Sequence, residues 1–406
     1  MAMREHQGSE IVQTEACEAL SGLIADNAEN TTRAGSAGAI EDLVVIMRRL
    51  AESKGVHEEA CVALYNLTRN HAENTIRATT AGAVEATVVA MRCHLDHHTV
   101  QELTCMVLDG LVCNGAARTR AGNAGAVEAI VAAMRRHAQN ERVQQIACLL
   151  VGAVIYNNAK NATRAGSAGV IEYIVVVKDT HLESETVQAW ACQALHNPVI
   201  YDTANRARAG SSGAVEALVE AMHRHATSEA VQKDACRALH RLINSNAGNV
   251  VRARNAHAIE VLLAVVSRHA ANEEVQVQAA ATLYVFGEIC LKGFQAGMPF
   301  GTFDRDVPLG VKLLKTVARH GNASMSTSQA RRRNLLGVFV AAKSCVECGI
   351  RNARRSCIGC LDADSTKVRY CDQACQLIHW SHPAASHRVE CGSHMVAHDE
   401  SSSAAV

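Results

Sequence analysis

The chain has 406 residues, of which 48% are hydrophobic but only 3% are aromatic, and its 40 basic and 40 acidic side chains give a formal net charge of zero. This length exceeds that of one ordinary core, and the small apolar residues favour a repeat array of closely stacked helices. The balanced charge excludes a whole-chain signature of nucleic-acid binding, and no stretch approaches the roughly 20 apolar residues of a membrane helix. We therefore expect a soluble intracellular protein, cytoplasmic or nuclear.

An internal repeat fills the first 290 residues. Within variants of the word VQxxAC, six cysteines recur at separations of 44, 44, 43, 44 and 44 residues, and Ala280 continues the series. These cysteines are Cys17, Cys61, Cys105, Cys148, Cys192 and Cys236. Variants of a second word, GAVE, follow about twenty residues later and begin at Gly38, Gly82, Gly125, Gly169, Gly213 and His257. This period lies inside the range of about 40 to 47 residues that armadillo and HEAT helical repeats show.

Each unit predicts two amphipathic helices. In GAVEALVEAMHRH, the apolar residues that recur at steps of three and four are Val215, Leu218, Val219 and Met222. Gly213 is expected to end the helix before it. In VQKDACRALHRLI, the corresponding stripe is Val231, Ala235, Leu239 and Leu242. Because neither helix can bury its stripe alone, neighbouring units are predicted to stack into a superhelix.

This pattern resembles the armadillo family over residues 3–290, with about six to seven repeats. The resemblance implies an all-α, right-handed superhelix that serves as a scaffold for peptides and proteins. In family members that bind extended peptides, an asparagine recurs on the groove helix. The matching positions here are Gly22, Asn66, Gly110, Ala153, Asn197, Arg241 and Val285. Only two of them are asparagine, so a regular ladder that clamps a peptide backbone is not expected.

The start of the array is incomplete. Residues from Ala2 align on those from Ala221, which places Met3 at the end of a GAVE-type helix whose beginning is missing. We expect a partner or a second copy to cover the first stacking face, unless the chain is a truncated form of a longer protein.

Two residue types recur where chemistry could be suspected. The repeated cysteines lie at packing positions one whole repeat apart, so we interpret them as small core residues. Cys93 and Cys113 lack the periodicity and stay unassigned. A histidine recurs at the end of the GAVE helix, at His6, His94, His137, His181, His225 and His269. A catalytic group is needed once but a helix cap in every unit, so we predict a structural role for it.

Residues 291–343 are predicted to connect the array to the C-terminal segment. GMPFGTFDRD is typical of a loop, and two helices are expected in VPLGVKLLKTVARHG and SMSTSQARRRNLLGVFVAAKS. We expect these helices to cap the last repeat and lead into the C-terminal segment. A flexible linker is the alternative, which the apolar run LLGVFVAA disfavours.

The segment 345–391 concentrates seven cysteines and one candidate histidine. The candidate ligands are Cys345, Cys348, Cys357, Cys360, Cys371, Cys375, His387 and Cys391. Four consecutive pairs at two- or three-residue spacing predict two closed Cys/His sites for Zn²⁺ ions, since each pair can reach one tetrahedral metal. Free buried cysteines are the alternative, but so short a segment has little apolar material with which to fold without metal.

The words CVEC, CIGC, YCDQACQ and HRVEC, with Trp380, resemble a MYND-type zinc finger. The resemblance implies interleaved sites, in which the first and third cysteine pairs hold one zinc and the second pair holds the other with His387 and Cys391. Its spacing after Trp380 departs from the family, and His379, His382 and His394 are rival eighth ligands. The resemblance also implies that Gln376 and Trp380 bind short proline-containing peptides, although Trp380 could instead fill the finger's core. Residues 392–406 are expected to be a disordered tail.

These features favour a non-enzymatic scaffold or adaptor. No GxSxG, P-loop, HExxH or dinucleotide motif stands in the right context, and no region remains for a methyltransferase domain of the kind that some MYND proteins carry. The alternative is a ubiquitin-ligase-type or transcriptional co-regulator component that uses the finger for recruitment. DNA binding by the basic residues of the finger is a further rival, disfavoured because no long basic helix is present.

Overall fold

The structure is a computed structural model, and it describes residues 2–295. The predicted loop and helices after residue 295, the zinc finger and the tail lie outside the described residues. The described part is entirely helical and contains 20 α-helices and no strand. The helices are α1 (Ala2–Glu5), α2 (Glu10–Ile24), α3 (Ala28–Ser36), α4 (Ala39–Arg49), α5 (Lys54–Thr68), α6 (Ala72–Ala81), α7 (Ala83–Cys93), α8 (His98–Leu111), α9 (Gly115–Ala124), α10 (Ala126–Arg136), α11 (Glu141–Ile155), α12 (Ala159–Ser167), α13 (Val170–Thr180), α14 (Glu185–Ile200), α15 (Thr203–Ser211), α16 (Ala214–Arg224), α17 (Glu229–Ile243), α18 (Ala247–Asn255), α19 (Ala258–Arg268) and α20 (Glu273–Gln295).

The described residues divide into two units, residues 2–261 and the described part of a second unit, residues 262–295. The first unit holds α1 to α18 and the start of α19. The described part of the second unit holds the rest of α19 and α20, where the Gln276 side chain donates to the carbonyl oxygens of Val266 and His269 at 2.7 and 2.9 Å.

Each repeat consists of a short, a middle and a long helix. The middle and long helices are the two that the sequence predicted, at 11 residues and mostly 14 to 16 residues. The segment before GAVE forms a short helix of 9 or 10 residues. Helices α3 to α20 make six such triplets, preceded by α1 and the long helix α2. The predicted all-α class of stacked, armadillo-like repeats is thus confirmed for the described residues.

Local sequence sets where the helices begin. Six of the seven long helices follow serine or asparagine caps whose side chains accept a hydrogen bond from the third helical amide, as Ser228 does from Val231. The exception is α8, which follows His97 without such a bond. The middle helices follow a glycine in the left-handed region, and Gly213 has φ +84°. The predicted break at Gly213 is therefore confirmed. In the last triplet His257 takes this position with φ +60°.

The repeated cysteines are core residues, as the sequence predicted. All six are buried, with exposures of 0 to 1%. Burial raises the pKa of Cys17, Cys61, Cys105 and Cys148 to about 12, so these thiols stay protonated at neutral pH. Cys93 and Cys113 are exposed.

The recurring histidine joins successive repeats. His94, His137, His181 and His225 each end a middle helix. Their Nε2 atoms lie 2.7 to 3.0 Å from a carbonyl oxygen of the preceding repeat. The structural role is confirmed, although the ring bonds the neighbouring repeat and not its own helix end.

A second connection between repeats was not predicted. An asparagine on the short helix is 3% exposed, and its Nδ2 donates to two carbonyl oxygens of the repeat before, one on the short helix and one near the end of the long helix. The residues are Asn74, Asn161, Asn205 and Asn249. A glycine of the preceding short helix lies against each of them, and a Cβ there would overlap the asparagine oxygen. Where Arg118 replaces the asparagine, Thr79 replaces the glycine.

Candidate functional site

The predicted zinc and peptide-binding residues lie outside the described residues. These are the eight ligand candidates Cys345, Cys348, Cys357, Cys360, Cys371, Cys375, His387 and Cys391, the rival histidines His379, His382 and His394, and the contact residues Gln376 and Trp380. Both sites therefore stay predictions. Among residues 2–295, no group of three or more His, Cys, Asp or Glu side chains could hold a metal ion.

The first unit offers an extended surface instead. Its six long helices, α2, α5, α8, α11, α14 and α17, pack in a row, each against the next. Three positions per helix are separated by three and four residues, and all of them except Ile146, Asn197 and Asp234 are exposed or half-buried. On α2 these are Glu15, Glu18 and Gly22, all exposed. We call the eighteen equivalent positions of the six helices the long-helix face.

The third position of this face shows why no regular asparagine ladder is available. Asn66 donates from Nδ2 to the Ser21 hydroxyl at 3.1 Å, and Asn197 donates to the Gly152 carbonyl at 2.8 Å. Both asparagines thus bond the neighbouring long helix. At Gly22 and Gly110, a Cβ would meet no atom within 4 Å, so the surface there is open. The arrangement agrees with the expectation drawn from the sequence.

One buried lysine departs from the repeat. Lys178 is 1% exposed and stands on α13 where other repeats have Met47, Met91, Met134 and Met222. Its Nζ lies 2.8 Å from Gln188 Oε1 and 3.2 Å from Cys192 Sγ. Burial raises the pKa of the Cys192 thiol, and Lys178 opposes this effect. Since both side chains are enclosed, no substrate could reach them, and we assign the pair a structural role.

A histidine pair is the second departure. His57 is fully buried on α5 at the position where other long helices have glutamine. Its Nδ1 lies 3.1 Å from His94 Nε2, and its Nε2 lies 3.1 Å from the Met47 carbonyl oxygen. Burial, followed by the neighbouring His94, lowers the pKa of His57, so its ring is neutral at pH 7.

None of the helices in the described residues is long and apolar enough to cross a membrane.

Comparisons with known proteins agree with this geometry. Residues 120–289 match the family model described as LRRK2 ARM repeat. A comparison with curated proteins found no match.

Solved structures extend the similarity. An engineered protein from the Northeast Structural Genomics Consortium is 25% identical, with a TM-score of 0.54, and the match covers 61% of this chain and 98% of that one. A designed armadillo repeat protein in complex with the peptide (KR)4 is 21% identical, with a TM-score of 0.53 over 61% of this chain and 99% of that one. A structure of the interaction between cadherin and beta-catenin is 16% identical, with a TM-score of 0.64 over 80% of this chain and 64% of that one.

The repeat period, the three-helix unit and these structural similarities define an armadillo-repeat fold. Its long-helix face is the candidate functional site among the described residues.

Proposed function

We propose that the chain is a non-enzymatic scaffold that binds a protein or peptide through the long-helix face and recruits a second protein through a C-terminal zinc finger. The observation that carries the first part is the row of six packed long helices with accessible polar and apolar side chains. Stacked repeats use such extended surfaces for binding. The peptide complex of the designed armadillo protein supports the same use here.

The second part rests on the donor set of residues 345–391. Seven thiols and one imidazole in four closely spaced pairs suit two tetrahedral Zn²⁺ sites. Zn²⁺ would supply folding free energy to this segment, since a structural zinc site couples metal binding to folding. Gln376 and Trp380 would then present an amide and an indole to a proline-containing peptide.

Affinity capture with the full chain tests whether the array and the finger bind different partners. The intact protein is compared with a Cys371→Ala variant, and Cys113→Ala serves as the control because Cys113 is an exposed thiol on the array. We expect partners of the finger to be lost in Cys371→Ala alone and partners of the array to be kept in all three. Capture of no partner by the intact chain would contradict the proposal.

Elemental analysis tests the metal. The intact chain and Cys113→Ala are each expected to carry two zinc ions per chain, and Cys371→Ala fewer. One zinc or none in the intact chain would overturn the two-site assignment. Trp380→Ala then separates the roles of the finger, since it should keep both zincs and lose proline-containing peptides.

A further inference from the structure

The long-helix face has a charge gradient along the row of helices. Its first position reads Glu15, Glu59, Leu103, Ile146, Trp190 and Asp234. Its second position reads Glu18, Val62, Met106, Leu149, Gln193 and Arg237. Its third position reads Gly22, Asn66, Gly110, Ala153, Asn197 and Arg241. Glutamates therefore stand on α2 and α5, neutral residues on α8 to α14, and two arginines with one buried aspartate on α17.

The acidic end holds like charges close together. The pKa of Glu59 is raised by burial and then by the neighbouring carboxylates of Glu18 and Glu58. Glu58 has a partner in Lys54 at 3.4 Å. Glu102 and Asp109 on α8 lie outside the eighteen positions of the face, and burial raises the pKa of Asp109. Because mutual repulsion disfavours this arrangement, a cationic ligand would be stabilised there.

The centre of the face is uncharged. On α8 and α11, Met106 and Leu149 are half-buried, and Trp190 is half-buried on α14. Next to Met106, the open surface at Gly110 leaves room for a bulky group. A partly exposed indole and neighbouring aliphatic side chains favour contact with apolar side chains.

The basic end lies on α17. Arg237 and Arg241 follow one another by one helical turn, and Arg241 is exposed. The carboxylate at this end is Asp234, which is 7% exposed and lies 3.5 Å from Arg237. Burial, together with these arginines and His240, lowers the pKa of His196 to about 4, so its ring is neutral at pH 7. An anionic ligand would therefore be stabilised at this end.

We propose that the long-helix face binds an extended peptide that is basic at one end, apolar in the middle and acidic at the other. Its basic part contacts α2 and α5, its apolar part α8 to α14, and its acidic part α17. Five spacings of about 8–10 Å between packed helices give a length of about 40–50 Å, which about 12–15 extended residues span. This inference rests on the proposed scaffold function and specifies the chemistry of its partner.

Defined peptides of 15 residues test the gradient on the full chain. One peptide has five lysines, five apolar residues and five glutamates, and a second has the reverse order. Two single-sign peptides carry lysines or glutamates at both ends. By fluorescence anisotropy, we expect one of the two mixed peptides to bind about tenfold more tightly than either single-sign peptide, and the difference to shrink with added salt.

Reversing the charge of the basic end tests whether that end selects the acidic part of the peptide. In Arg237→Glu/Arg241→Glu, the preference should move to the peptide with lysines at both ends. Lys160→Glu on α12 is the matched control, because Lys160 is exposed on a short helix away from the face, and it should leave the preference unchanged.

Equal affinity for a single-sign peptide, an unchanged preference after reversal, or no binding of any peptide would overturn this inference. The scaffold proposal is tested by a different result, since it would be contradicted if the intact chain captured no protein partner at all.

Discussion

Lys178 shows how one side chain can satisfy a polar group that other repeats leave unpaired. Oε1 atoms without a hydrogen-bond partner occur at the equivalent Gln13, Gln101, Gln144 and Gln232. At Gln188, the Lys178 amino group provides the partner. The sequence did not predict this burial, because a lysine near a helix end is ordinarily interpreted as solvent-exposed. Its helical register, which matches that of the methionines, was the available signal.

Exchanging lysine and methionine between two repeats tests whether the hydrogen bonds of the buried amino group outweigh the cost of burying it. Burial of a lysine amino group costs free energy in either protonation state, whereas methionine fits the same core position in the other repeats. We expect Lys178→Met to raise the free energy of unfolding by about 1–3 kcal/mol. Met134→Lys, beside Gln144 and Cys148, should lower it by a similar amount. Denaturant titrations of both variants measure this, and a loss of stability in Lys178→Met would show that the hydrogen bonds outweigh the burial cost.

His57 predicts a pH dependence. Its folded pKa is lowered by burial, so the unfolded chain binds more protons below the unfolded value of about 6.5. Stability from this group is therefore present above about pH 6.5 and is lost as the pH falls toward the folded pKa. We expect His57→Gln, which restores the residue of the other repeats, to lose less stability than the wild type between pH 7 and pH 5. His223→Gln, an exposed control on α16, should follow the wild type. Identical slopes for His57→Gln and the wild type would contradict the assignment.

At the scale of the helices, the middle and long helices of each repeat could be predicted from the sequence, but the hydrogen bonds that join successive repeats could not. The stripe of Val215, Leu218 and Met222 fixed the middle helix because apolar spacing reports burial directly. Asn205 and Gly166 do not belong to an apolar stripe, and a single asparagine or glycine is equally typical of an exposed turn. Their paired role becomes visible only when the short helices are stacked. The charged residues of the long-helix face are present in the sequence. Their order along the row became visible only when the structure showed which positions of the long helices are equivalent.

Two glycines allow the start of a middle helix to be tested. Gly213 lies at φ +84°, and a Cβ there meets no atom within 4 Å, so Gly213→Ala changes backbone strain alone. We expect it to destabilise the protein by about 1–2 kcal/mol. Gly22 lies inside α2 with equally open surroundings, so Gly22→Ala should stabilise by about 0.5–1 kcal/mol through helix propensity. Shifts of the same sign in thermal unfolding would show that the left-handed glycine does not define the helix start.

At the scale of the whole molecule, the array and the C-terminal segment are expected to depend on different forces. The described repeats bury cysteine, leucine, valine and alanine side chains against their neighbours and contain no group that could hold a metal ion. Stacked repeats of this kind gain their stability from nearest-neighbour interfaces. The segment 345–391 has a donor set suited to zinc, and metal binding there should be coupled to its folding.

Removing the metal from the full chain tests whether the array and the C-terminal segment are stabilised independently. We expect a strong chelator to release two zinc ions while the circular dichroism signal of the helices changes little, because the array does not use the metal. The partners assigned to the finger should be released in the same titration, and peptides on the long-helix face should remain bound. Cys371→Ala should lose the same finger partners without chelator. A collapse of the helical signal on chelation would mean that metal binding also maintains the repeats, and it would overturn the separation of the two modules.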